Sequence, residues 1–130
     1  MLNADKLPID DMVRGYISSI LLNENDYEET GPVPMHLKYG GENFAKETIG
    51  VITKDCANFL ALAIHSAPEI IQRPGLFEIG RDFWLTRNAH GAGFEDGNYS
   101  RIVGVKLYCL CKKFKPLNVY ASEDGFIYFE

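Results

Sequence analysis

Polar and small residues gather in one short window of this 130-residue chain: Asp82, Arg87, Asn88, His90, Gly91, Gly93 and Asp96. Imidazole titrates near neutral pH, so His90 is the natural general acid or base there. Arg87 brings a planar fork of donors suited to a carboxylate or a phosphate. Asp82 or Asp96 would orient the imidazole. The catalytic candidates are therefore His90, Arg87, Asp82 and Asp96, and none is assigned outright. The candidate binding set is Trp84, Arg87, Asn88, His90, Gly91 and Gly93. A structural role competes with both: Asn88, His90 and Gly91 supply turn geometry, while Arg87 and Asp96 pair or face solvent.

Two motif lookalikes fall away. His90-Gly91-Ala92-Gly93-Phe94 mimics the oxyanion loop of lipase-type hydrolases, but the Gly-x-Ser-x-Gly nucleophile elbow is absent. Gly91, Gly93 and Gly97 mimic a dinucleotide loop, but the spacing is wrong and the next residues read as a turn rather than a phosphate-holding helix. The three histidines are scattered, and Cys56, Cys109 and Cys111 form no C-x-x-C pair. No metal and no cofactor is expected. An odd cysteine count argues against a secreted disulfide framework and for a reducing cytosol.

The elements that must position this window can be read from periodicity. Pro8, Ile9 and Asp10 open a first helix, with Val13, Ile17, Ile20 and Leu21 at helical spacing. Residues 23–41, rich in acids, Gly and Pro, read as a long loop, with Pro32 and Pro34 blocking regular structure. Ile52, Cys56, Phe59, Leu60, Ala63 and Ile64 form one buried helical stripe, ended by Pro68 and Pro74. The two-residue alternation of Asp82-Phe-Trp-Leu-Thr-Arg-Asn88 predicts a strand. Asn88-Ala-His-Gly91 then turns it into a second strand, Ala92 to Glu95, with Leu85 opposite Phe94. Asp96-Gly-Asn98 is a further turn, and Ser100 caps a third helix through Val103, Leu107, Leu110, Cys111 and Phe114, with a strand as the rival reading because of β-branched Ile102, Val103 and Val105 and of Gly104. Asp124-Gly125 closes a final hairpin, residues 118–122 with 126–130, by a type I′ turn. The order α-α-β-β-α-β-β predicts a single α+β domain, an antiparallel sheet of about four strands against about three helices.

The stretch Asp82-Phe-Trp-Leu-Thr-Arg-Asn-Ala-His-Gly-Ala-Gly-Phe94, with Glu95-Asp-Gly97 after it, resembles the signature of a family of small phage and prophage proteins. The usual form of that signature is similar to HDFWLTRNGHGAGFWD. The likeness spans residues 50–130, including Asp55-Cys56 with Phe59-Leu60 and the closing Tyr120, Asp124-Gly125, Ile127-Tyr128 hairpin. Here Arg81 stands where the family has His, Ala89 where it has Gly, and Glu95 where it has Trp. The family carries no assigned activity, so the resemblance implies phage origin and a setting in the host cytoplasm, not a mechanism. It divides the domain into an acidic helix-and-loop extension, residues 1–45, and a family-like core, residues 46–130.

Charge sharpens that division. The chain carries a formal −5, and residues 1–31 account for all of it, with seven acids against Lys6 and Arg14. An acidic face disfavours phosphate-backbone contact, so nucleic acid is not an expected partner. No apolar run reaches the roughly 20 residues of a membrane span, and Met1 to Ile9 lacks the pattern of a secretory signal. The expected function is a small cytoplasmic, non-enzymatic binder or modulator of a host macromolecule, with a host protein as partner. The alternative is a small-ligand-binding or hydrolytic enzyme using His90 and Arg87.

Overall fold

The described part of the chain runs α1 (Ile9–Asn23), β1 (Asn25–Glu28), β2 (Gly31–Pro34), α2 (Lys46–Ser66), α3 (Leu76–Arg87), α4 (Arg101–Cys111), β3 (Val119–Ala121) and β4 (Ile127–Phe129). These positions come from a computed structural model that describes residues 8–72, 75–95 and 99–130. The turn expected at Asp96-Gly-Asn98, and Pro74, lie outside the described residues. The architecture is mixed helix and strand, as expected, and among the described residues no helix is long and apolar enough to cross a membrane.

Three helices form where periodicity places them. Asp10 and Asp11 sit in the first turn of α1, where negative charge complements the helix dipole. Met12, Val13, Tyr16, Ser19 and Ile20 form its buried stripe. Along α2 the buried positions are Thr48, Ile52, Cys56, Phe59, Leu60 and Ala63, and Pro68 comes just after its end. Ser100 caps α4, its Oγ accepting the Val103 N–H at 3.3 Å. That helix ends at Cys111 rather than reaching Phe114.

The expected strand at Asp82–Asn88 is instead the second half of α3. Asp82, Phe83, Trp84, Leu85, Thr86 and Arg87 are all buried, so this stretch of helix has no solvent face and shows no helical period. Its apolar alternation mimics a strand for that reason. The second expected strand, Ala92 to Glu95, is irregular chain. The packing partners nevertheless hold: Phe59 stacks on Phe83 at 4.4 Å and on Phe94 at 5.4 Å.

Residues 23–41 are also more regular than expected. β1 and β2 pair antiparallel, with Asn25 opposite Pro34 and Tyr27 opposite Pro32. The Met35 N–H donates to the Glu24 carbonyl at 3.0 Å. Ladder bonds alternate along an antiparallel pair, so both prolines fall at the non-hydrogen-bonded positions, where no N–H is needed. The second hairpin, β3 with β4, places Tyr120 opposite Tyr128. Its turn is not type I′. The Ser122 N–H reaches the Phe126 carbonyl at 2.8 Å and the Gly125 N–H reaches the Ser122 carbonyl at 3.0 Å, enclosing three residues. Only Gly125 has positive φ, at 84°, whereas a type I′ turn needs it at both central residues.

The two hairpins form separate two-stranded sheets rather than one four-stranded sheet. Helices do the structural work between them. α1 packs chiefly on α3. α2 is tied to the last strand through Ile127, whose carbonyl accepts the Ala45 N–H at 3.1 Å and the Thr48 hydroxyl at 2.9 Å.

Candidate functional site

α3 leads directly into the loop that bears the candidate residues, and its closure is specific. The His90 N–H donates to the Leu85 carbonyl at 3.0 Å and the Ala89 N–H to the Thr86 carbonyl at 3.2 Å. Ala89 takes φ 57° between them. These two bonds around a left-handed residue make a Schellman C-cap. The turn expected at residues 88–91 is therefore a helix terminator, not a hairpin tip.

Arg87, 3% exposed, is held on every side. Its Nη1 donates to Asp55 Oδ2 at 2.8 Å and to the Tyr16 hydroxyl at 3.2 Å. Nε and Nη2 both donate to the Lys115 carbonyl, at 3.0 and 2.7 Å. The guanidinium lies 5.3 Å from the Phe83 ring centre and 5.6 Å from that of Phe114. One side chain thereby joins α1, α2, α3 and the segment after α4. Burial works against its charge, but Tyr16 and Asp55 outweigh that and hold its pKa above the ordinary arginine value. Burial pushes the Tyr16 phenol strongly upward, which keeps it neutral as the arginine's acceptor.

The other candidates take separate partners. Asp82, 2% exposed, accepts the Tyr99 hydroxyl at 2.7 Å and the Arg81 Nε–H at 3.2 Å. His90 Nε2 lies 2.7 Å from Glu24 Oε2, and the same oxygen accepts the Trp84 Nε1–H at 3.1 Å. Asn88 donates from Nδ2 to the Trp84 carbonyl at 3.1 Å, and its Oδ1 accepts the Leu117 N–H at 2.9 Å. Gly93, at φ 116°, allows a close approach to α3. A Cβ there would stand 2.2 Å from Thr86 Oγ1, which accepts the Phe94 N–H at 3.1 Å.

The sequence window thus does not close into one reactive cluster. Arg87 turns inward to Asp55, His90 turns to Glu24, and Asp82 turns to Tyr99. Asp96 lies outside the described residues. Trp84, Arg87 and Gly93 are buried, Asn88 is half-buried, and only His90 and Gly91 of the binding set reach the surface. Among the described residues no three His, Cys, Asp or Glu side chains are placed to hold a metal ion. Cys56 and Cys111 are buried free thiols, the second pushed up to about 12 by its burial.

Sequence reasoning missed the partners. Asp55 is 32 positions before Arg87 and Glu24 is 66 before His90, separations that no local spacing reveals. It also missed how the acidic segment is organised. Lys38 bridges Asp26 at 2.6 Å and Glu28 at 2.5 Å, Glu24 holds His90, and Asp11 pairs with Arg14. Four of the seven acids are therefore engaged within the fold. Among the paired charges this segment also exposes large apolar side chains: Leu22, Tyr27 and Leu37 are 61%, 77% and 68% exposed.

Comparison with family models, with curated proteins and with solved structures finds no match in any of the three.

Proposed function

We propose that this chain is a small non-enzymatic binding protein of the phage accessory kind, acting in the host cytoplasm on a host protein. The observation that carries this reading is the shared carboxylate of Glu24. By holding both Trp84 and His90, it ties the N-terminal segment to α3 and to the loop after it. The groups best suited to chemistry, Arg87 and Asp82, are meanwhile occupied in the interior. Among the described residues, three of the four most exposed large apolar side chains, Tyr27, Leu37 and Leu22, belong to residues 22–37 of that N-terminal segment. Apolar side chains rimmed by paired charges suit a protein partner better than a nucleic acid, whose phosphates call for a basic stripe.

The enzymatic alternative needs His90 and Arg87 on one reacting group, and their separate partners weigh against it. The test is affinity capture from bacterial lysate with the wild-type chain beside a Tyr27→Ser, Leu37→Ser double variant. The reading expects one discrete host protein retained by wild type and lost by the variant, with the melting temperature unchanged. Nothing above background, or retention indifferent to the double change, contradicts it.

A further inference from the structure

The loop after α3 backs onto α4 around a cavity of about 200 Å³ lined by Thr86, Ala89, Gly91, Ala92, Glu95, Tyr108 and Lys112. Two opposite charges border this space. The Lys112 ammonium lies 4.9 Å from the Tyr108 ring centre and makes one long bond, 3.4 Å, to the Thr86 carbonyl. No ion pair joins Lys112 to Glu95, and among the described residues neither has another charged partner.

Opposite charges that line one cavity without meeting are complemented by a ligand that carries both signs. We propose that this cavity binds a small zwitterion of the α-amino-acid class, its carboxylate on Lys112 and its ammonium on Glu95. The volume falls below the roughly 300 Å³ at which drug-sized sites begin, so the ligand is a single small molecule. Ala89 and Ala92 give the wall an apolar stretch for a short side chain. Gly91 has positive φ, 78°, and a Cβ there would meet nothing within 4 Å, so the main chain borders open space. Thr86 is already engaged with Phe94 and serves as wall rather than ligand group. The contacts are partly exposed, so binding in the millimolar range is expected. This site is independent of the proposed protein partner, and its failure leaves that reading intact.

The experiment is an amide-resolved NMR titration of the full chain with L-alanine, with acetate and methylammonium as separate probes. The proposal expects L-alanine to shift the Gly91, Ala92 and Gly93 amides saturably, with acetate or methylammonium alone doing far less. Lys112→Met and Glu95→Gln should each weaken binding about tenfold or more, while leaving the rest of the spectrum in place. No saturable shift with L-alanine, an equal response to acetate alone, or unchanged affinity in both variants overturns it.

Discussion

Gly80 of α3 lies directly against the main chain of Met12 in α1: a Cβ at position 80 would stand 1.9 Å from the Met12 carbonyl oxygen. Gly15 answers from the other helix, where a Cβ would be 1.8 Å from the Phe77 carbonyl oxygen. The two helices therefore touch backbone to backbone, and this contact brings Tyr16 within reach of Arg87. Gly80→Ala should destabilise the chain by several kcal/mol, since a backbone cannot yield as a side-chain end can. Gly50, on the open face of α2 with nothing within 4 Å, supplies the control. Gly50→Ala should stabilise by about 0.5–1 kcal/mol through helix propensity alone. Urea unfolding of the pair checks both signs.

Ala89 occupies the C-cap position that favours glycine, at φ 57°. A non-glycine residue in that region costs about 1–2 kcal/mol. Ala89→Gly should relieve most of it, less the entropy that glycine adds to the unfolded chain, for a net gain of about 1 kcal/mol. A melting temperature raised by a few degrees is the expected result. A fall would show that the Cβ makes a contact worth more than the strain.

Periodicity revealed α1, α2 and α4 because each shows one face to solvent. It failed at α3, where residues 82–87 are buried all round and no polar face marks the turn of the helix. Prolines made residues 23–41 look irregular, although Pro32 and Pro34 sit where a hairpin tolerates them. The window that holds the site was legible, and so was the suitability of Arg87 for a carboxylate. Which carboxylate it meets was not legible, because Asp55 comes from another helix. Nor was the Trp84–Glu24–His90 junction, which exists only once α1 has packed on α3.

Acid should expose the Lys38 clamp. The Lys38 hydrogen bond, helped by Tyr39 and the Tyr27 N–H, holds the Asp26 carboxyl below its ordinary range. A carboxyl depressed in the folded state adds stability above its unfolded pKa and loses it as pH falls through the folded one. Urea midpoints of wild type and Asp26→Asn should therefore differ most near neutral pH. They should converge as pH drops through and below the ordinary aspartate range. A difference that stays constant with pH would mean that the clamp acts through shape rather than charge.

The central claim is that Arg87 is an internal anchor and not a reagent. Urea unfolding of Arg87→Ala at neutral pH tests it most directly. The change would leave the Tyr16 hydroxyl and the Lys115 carbonyl without their donor and Asp55 without its counter-charge. The predicted loss is about 3 kcal/mol of stability. A midpoint indistinguishable from wild type would contradict the claim and return Arg87 to the groups free to act on a ligand.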